Sequence, residues 1–377
     1  MRKLRMILAL IVLVMGIGIG KSEGVTIKKI VGTASSCDES EGCLPVPLVL
    51  TGLCTVTCPL LSAPSYTDSL RFWGTGGTAG TGCRTSTDGG ATWGACTTNP
   101  FTPGTKEHYA GTVDGGVIAV SQVVGDCVIR KSVDNAASWT TVFTFTVATG
   151  CGGPISAGTF LKCLANGECH MLVTGPGTGC NILESTENGN IGTWLNVLTD
   201  VSCFAATPTG YSYDGTDGIM TQSGASTLSG WFTFTGGIGW TSSAVWPGTV
   251  GQCWGSVILS GVPRAICYNT GDANYTLRDV DGVVVTNLVL PNAVLLVSNG
   301  GLGMSIAGTS LLYVVATSSN PSAIGVWASR DAGVSFGRIG TIGPSVVIRE
   351  GDIFFANGCI YFSGGLITPV FAKVCVN

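Results

Sequence analysis

Two carboxylates held about 5 to 10 Å apart are enough to cleave a glycosidic bond, one as acid and the other as nucleophile or base. The chain has 377 residues, of which 22 are acidic, and offers Asp68, Glu107, Asp114, Asp214, Asp217, Glu350 and Asp352 for that work. Most of these read as turn residues, because Asp114-Gly115, Asp214-Gly215, Asp217-Gly218 and Asp281-Gly282 are hairpin signals. The densest polar cluster is Lys106-Glu107-His108-Tyr109. It fits a solvated loop after Pro103-Gly104, or the opening of an inner strand where His108 can act as a general base. His108 and His170 are the two histidines, and no Ser-His-Asp order, phosphate-cradling loop or cofactor fingerprint accompanies them. No cofactor and no metal are expected.

Sixteen cysteines stand beside those two histidines. An even count in an exported chain reads as disulfides, and zinc spacing of the Cys-x2-Cys type is absent, Cys54-x3-Cys58 standing alone. Sequence does not fix connectivity. The spacing favours local staples: Cys83 with Cys96, Cys163 with Cys169 across a hairpin at Ala165-Asn166-Gly167, Cys253 with Cys267, and Cys359 with Cys375. Cys127 and Cys180 each precede a repeated serine by five residues, and Cys151 and Cys203 follow it by 19 and 18. Cys127 with Cys151 and Cys180 with Cys203 would then be equivalent bonds in successive repeats.

Export is expected from residues 1–22, where Arg2, Lys3 and Arg5 precede an apolar run from Met6 to Ile19 that is short for a membrane span. Cleavage is favoured over an uncleaved anchor, so no stable membrane span is expected afterwards. Residues 23–377 show no linker, charge run or composition break and are read as one domain. Without Arg2, Lys3, Arg5 and Lys21 the balance is 14 basic to 22 acidic residues, net −8, which argues against a nucleic-acid partner. Charged residues make up 11% of the chain, which leaves a surface open to self-association. The expected partner is the chain itself, or an extracellular carbohydrate or protein.

The elements that must position these residues follow from composition and repetition. Abundant Gly, Thr and Ser with frequent Val and Ile favour short strands joined by tight turns. One phrase recurs as Ser86-Thr87-Asp88-Gly89-Gly90-Ala91-Thr92-Trp93, as Ser132-Val133-Asp134-Asn135-Ala136-Ala137-Ser138-Trp139, and as Ser329-Arg330-Asp331-Ala332-Gly333-Val334-Ser335-Phe336. Ser185-Thr186-Glu187-Asn188-Gly189 repeats it with a two-residue insertion before Thr193-Trp194, and looser copies are read at Ser223 to Trp231 and Thr270 to Tyr275. From Ser86 onward the intervals between first residues are 46, 53, 38, 47 and 59, the length of a four-stranded unit. The oxygens of Ser86 and Asp88 can hold backbone N–H groups of a tight turn. Gly90, Asn135 and Gly333 can take positive φ, and Trp93, Trp139, Trp194 and Phe336 can bury a ring between sheets.

This pattern resembles the Asp-box, or bacterial neuraminidase repeat, Ser-x-Asp-x-Gly-x-Thr-Trp, of sialidases, xyloglucan-cleaving glycosidases, sortilin-like receptors and a photosystem assembly factor. The resemblance implies a β-propeller in which each box is the turn between the third and fourth strands of a blade. A sialidase would also need three arginines for the substrate carboxylate, a Tyr and Glu nucleophile pair and an Asp acid/base. Here the Arg-Ile-Pro signature is absent and Arg84, Arg130 and Arg330 fall within or beside boxes, which leaves Arg71, Arg264, Arg278, Arg338 and Arg349, with Arg71, Arg278 and Arg349 as one conceivable triad.

Gly116–Ser121 and Asp126–Arg130 read as the second and third strands of one blade and Trp139–Thr146 as its fourth; Ser310–Ala316 and Ile324–Ser329 repeat the arrangement. Asp352–Phe355, Cys359–Phe362 and Val370–Cys375 make three strands without a box, and Val25–Val31 fits as the missing fourth. The expectation is an all-β propeller of seven four-stranded blades, with six or eight as alternatives, closed by an N-terminal strand pairing with the C-terminal blade. The expected function is that of a secreted, disulfide-stabilised, non-enzymatic binding or structural module able to self-assemble on a surface or in a filament. The alternative is a secreted glycoside hydrolase of sialidase-like fold acting on extracellular carbohydrate.

Overall fold

The computed structural model describes residues 50–54, 59–76, 82–102, 107–123, 126–145, 160–175, 179–200, 207–223, 229–235, 238–242, 252–269, 274–279, 281–290, 302–305, 310–317, 323–344, 351–364 and 370–375. They form seven four-stranded antiparallel sheets, the blades of a seven-bladed propeller, with no helix among them. Blades 1 to 6 are consecutive in sequence, at 59–95, 107–145, 160–200, 207–242, 252–288 and 302–344. Blade 7 takes Gly351–Ala356, Cys359–Gly364 and Val370–Cys375, and its fourth strand is Leu50–Cys54, with Leu50 opposite Val374 and Cys54 opposite Phe371.

An N-terminal strand therefore closes the ring, but the expected segment is not the one that does so. The place beside Val370–Cys375 is held by Leu50–Cys54, and residues 25–31 lie outside the described residues. The outermost strand of a blade has one free edge and little to bury; Thr51 and Gly52 are exposed. A β-branched apolar run such as Val25–Val31 is consequently a poor guide to that position.

Each sheet is apolar on both faces, because each lies between two others. Val117 and Ala119 pack with Trp73 and Cys83 of blade 1, while the alternating Ile118 and Val120 pack with Leu161 and Met171 of blade 3. Tyr313 and Val315 face Ile360 and Phe362 of blade 7, and Leu312 and Val314 face Ile266 and Leu277 of blade 5. Seven such clusters occupy the seven seams between neighbouring blades. The ring-closing seam between blades 7 and 1 is aromatic, with Phe72 against Tyr361 at 4.9 Å and Trp93 edge-on to Phe371 at 5.2 Å between centroids.

The repeated phrase forms the turn between third and fourth strands in blades 1, 2, 3 and 6. In blade 1 Ser86 Oγ donates to Asp88 Oδ1 at 2.8 Å and accepts from Gly90 N–H at 2.9 Å, while Asp88 accepts from Thr92 N–H and Thr92 Oγ1 at 2.9 and 2.6 Å. Ser132, Asp134 and Ser138 repeat this set in blade 2, and Ser329, Asp331 and Ser335 in blade 6. In blade 3 Glu187 takes no such part, and Ser185 Oγ bonds Thr193 Oγ1 instead, at 2.6 Å. Two successive residues turn left-handed in each copy, Gly89-Gly90, Asn135-Ala136, Asn188-Gly189 and Ala332-Gly333. The turn then drops its ring into the seam behind it, Trp93 between blades 7 and 1, Trp194 between blades 2 and 3, and Phe336 between blades 5 and 6. Trp93 and Trp194 donate their indole N–H to Gly90 O and Gly189 O, and the half-buried Trp139 donates to Thr98 O.

The two looser copies are corrected. Ser223 and Trp231 stand in the second and third strands of blade 4, and Tyr275 in the third strand of blade 5. Trp231 and Tyr275 are buried seam residues contributed by a strand face, which is why an aromatic alone misdirects the alignment. The corresponding turn of blade 4 lies between Thr235 and Gly239, and Trp240 just after it fills the blade 3–blade 4 seam. In blade 5 the turn is capped by Asp279, whose carboxylate accepts from Asp281 and Val283 N–H at 3.1 and 2.9 Å, with Gly282 left-handed.

A Cβ on Gly90 would overlap the Phe371 ring, whereas one on the equally left-handed Gly192 would meet nothing within 4 Å. Gly192→Ala should cost only the backbone penalty, about 1 kcal/mol. Gly90→Ala adds overpacking of the closing seam and should lose about 2 to 4 kcal/mol. Urea titration of both variants beside the parent chain measures the difference.

Candidate functional site

Glu107, His108 and Tyr109 lie on the first strand of blade 2, Glu107–Gly111, which is buried along its whole length. The solvated-loop reading of this cluster is therefore replaced by a buried inner strand. Tyr109 belongs to the seam with blade 1, so Glu107, two residues earlier, shares that face, and His108 alternates to the face where Ala110 packs toward blade 3. The Tyr109 hydroxyl donates to Glu107 Oε2, Thr75 Oγ1 donates to the Glu107 carbonyl, and Glu107 Oε1 has no partner among the described residues. Burial pushes the Glu107 carboxyl up to about 7 against the opposing pull of the Tyr109 hydrogen bond. Of the other inner-strand acids, Asp352 is in Gly351–Ala356 but its side chain lies outside the description, as does Glu350 altogether.

Several of the other acids and arginines are engaged at turns. Asp114 accepts from Thr112, Gly116 and Lys131, and Lys131 Nζ reaches on to Asn188 O and Asn190 Oδ1 at 2.9 and 2.7 Å, tying blade 2 to the turn of blade 3. Asp214 caps its hairpin through Thr216 and Asp217 N–H, while Asp217-Gly218 begins a strand rather than making a turn. Arg71 pairs with Asp68 at 3.2 Å in blade 1, and Arg278 donates to Gly282 O in blade 5; Arg349 lies outside the described residues. Arg71 and Arg278 are thus each held in a turn of a different blade. Asp134 is held down to about 2, chiefly by the hydrogen bond from the Ser138 hydroxyl, then by Ser138 N–H and Ser132.

Cysteines bond within single blades: Cys83 to Cys96 in blade 1, Cys163 to Cys169 in blade 3, Cys253 to Cys267 in blade 5 and Cys359 to Cys375 in blade 7. The last three join residues directly opposite on adjacent strands. Cys127 and Cys180 are also disulfide-bonded, while Cys151 and Cys203 lie outside the described residues. These bonds suggest an oxidising environment. Among the described residues no group of three or more His, Cys, Asp or Glu could hold a metal ion, and no helix is long and apolar enough to cross a membrane.

Sequence reasoning passed over a second cluster, in the seam between blades 3 and 4. His170 on the second strand of blade 3 is 1% exposed, and its Nδ1 lies 2.8 Å from the Tyr211 hydroxyl. The rings of Trp240, Tyr213, Tyr211 and Phe234 surround it at centroid distances of 5.4, 5.5, 6.0 and 6.2 Å. Burial pushes the imidazole down to about 4 in spite of Glu168, whose carboxylate is 4.0 Å from Nε2. The only sequence signal was the Tyr211-x-Tyr213 alternation, which puts both rings on one face of a strand.

No family model and no curated protein matches the chain. Solved structures do. YCF48 bound to D1 peptide is similar at 14% identity and TM-score 0.58, the match covering 89% of this chain and 99% of that one. YCF48 from Cyanidioschyzon merolae matches at 13% identity and TM-score 0.50, over 88% and 99%. A Hadza microbial sialidase, Hz136, matches at 12% identity and TM-score 0.45, over 79% and 74%. At such identities the first two likenesses are ones of propeller fold.

A carboxyl raised from 4.5 to about 7 favours folding while protonated. Stability from Glu107 is complete below about pH 4.5 and falls as pH rises toward 7, by up to about 3 kcal/mol. His170 acts oppositely, its contribution being lost as pH falls from 6.5 through about 4. Subtracting the denaturation free energy of the parent from that of Glu107→Gln, point by point between pH 4.5 and 7.5, removes the histidine contribution. The difference should grow in favour of the variant as pH rises; a flat difference would show that Glu107 ionises normally in the fold.

Proposed function

We propose that the chain is an exported Asp-box propeller, delivered through residues 1–22, that works outside the cell by binding and self-assembly rather than by catalysis. One observation carries this reading. In a four-stranded blade the hairpins joining strands one to two and three to four emerge at the same end, and at that end every blade exposes a large apolar side chain. Blades 1 to 7 contribute Leu70, Val133, Ile191, Ile238, Val283, Val334 and Phe355, between 43% and 75% exposed. A circle of aliphatic tips, on a molecule in which one residue in nine is charged, is a face that loses free energy by being covered.

Polar chemistry at this end and on the inner strand of blade 2 is engaged internally. The Ser-x-Asp side chains are closed on their own turns. On the first strand of blade 2, Glu107 is bonded to Tyr109, and its shift has burial and that bond as causes, with no second carboxylate acting on it among the described residues. The hydrolase reading would need such a second acid.

Sedimentation velocity and electron microscopy of the secreted full chain test the proposal. The parent should associate into dimers or ordered polymers in the micromolar range, and the triple variant Ile191→Asp, Ile238→Asp, Val334→Asp should remain as single rings with unchanged circular dichroism. Single rings of the parent at every concentration, together with oligosaccharide cleavage abolished by Glu107→Gln, would establish the hydrolase instead.

A further inference from the structure

At the hairpin end of the seam between blades 3 and 4 the partly exposed Glu168 and Tyr66 lie over buried polar groups that are incompletely paired. Glu168, in the first hairpin of blade 3, has a side chain 29% exposed, and neither it nor the half-buried Glu184 has a lysine or arginine partner among the described residues. Glu168 acts on Glu184, both carboxylates act on Tyr211 and Tyr213, and Tyr213 hydrogen-bonds Glu168, so all four groups belong to one neighbourhood. Tyr66 reaches in from the first hairpin of blade 1, its hydroxyl donating to Cys163 O at 2.6 Å, and is 43% exposed.

Two buried polar atoms in this neighbourhood have no hydrogen-bond partner among the described residues, His170 Nε2 and Trp240 Nε1. Both side chains are more than nine-tenths buried. Leaving such atoms unpaired costs about 1 to 3 kcal/mol each, which a ligand can recover. His170 Nε2 faces the Glu168 carboxylate across 4.0 Å, too long for a hydrogen bond. A hydroxyl oxygen about 2.8 Å from both would bridge that gap, accepting from or donating to the imidazole and donating to the carboxylate.

We propose that this seam is a saccharide site, in which hydroxyl groups of one sugar ring pair with His170, Glu168 and Trp240 while its apolar face rests on the tyrosines. The donor inventory decides between this ligand and a cation. The indole N–H needs an acceptor, which a hydroxyl provides and an ammonium does not. The neutral imidazole is equally suited to a hydroxyl, and tyrosine faces present the flat apolar surface that a pyranose ring covers. The site lies between two blades at the hairpin end, away from the inner strand that carries Glu107.

The inference deepens the reading of the chain as a binding module, and its test separates from the sedimentation experiment, which needs no sugar. Methyl glycosides of glucose, galactose, mannose and fucose, with butylammonium chloride as the cationic control, are titrated into the full chain, followed by tryptophan fluorescence and saturation-transfer NMR. At least one glycoside should saturate with a Kd of the order of millimolar, the usual range for a single sugar-sized ligand. Glu168→Gln should weaken it about tenfold and Tyr213→Ala should abolish it, whereas Glu187→Gln, an exposed change in the blade 3 turn, should leave it unchanged. Glu168 stands on a partly exposed hairpin, so that variant remains informative even if Tyr213→Ala fails to fold. Saturation by butylammonium instead, no saturable binding by any glycoside, or binding indifferent to Glu168→Gln would overturn the proposal.

Discussion

Every sheet in this molecule is apolar on both faces, and that constraint sets the rest. A lone blade would leave two oily surfaces in water, each worth about 25 cal/mol per Å² to cover. A row of blades would still leave two, one at each end. Closing the row into a ring removes both, and the seam that does so, between blades 7 and 1, is a cluster of aromatic rings, Phe72, Trp93, Phe354, Tyr361 and Phe371. Among the described residues no disulfide crosses that seam. The disulfides described run within blades, stiffening each unit, while blade 7 is completed by hydrogen bonds from Leu50–Cys54.

The turns serve the seams. Ser86, Asp88 and Thr92 hold a left-handed pair of residues so that Trp93 can fold back beneath the turn, its indole N–H satisfied on Gly90 O, with its ring behind the sheet. The polar residues of the repeated phrase are the struts that aim a hydrophobic ring. Blade 5 shows how little of the phrase is needed, since Asp279 alone caps its turn and Leu288 and Tyr275 fill the seam. What is left over for function is therefore neither strut nor buried ring: exposed tips on one end, Val133 and Val334 of the phrase among them, and polar groups stranded in seams.

Much of this was legible because two-sided burial leaves a signature. Stretches such as 117–120 and 312–316 read as unbroken apolar runs, since both alternating sets of side chains meet a neighbouring blade. The repeated turns were legible where serine and aspartate occur together, two polar residues that one turn requires at once. They were misread where an aromatic stood in for them, because Trp231 and Tyr275 reach the same seams from a strand face. Leu50–Cys54 was missed for the converse reason, an edge strand having too little to bury to look like one. Glu107 declares nothing of its burial by residue type; Tyr109, two positions on and so on the same face, was the available hint. His170, Tyr211 and Trp240 come from three strands of two blades, and only blade packing brings them together.

If the seams are the source of stability, the blades cannot open one by one, because losing any blade exposes two seams at once. Native-state hydrogen exchange read by mass spectrometry measures this directly, using amides in the second strands of all seven blades, from Phe72–Gly76 to Cys359–Gly364. The account predicts one shared opening free energy, equal to that of global unfolding. Slow amides that fall into separate tiers, with some blades exchanging several kcal/mol below others, would contradict it.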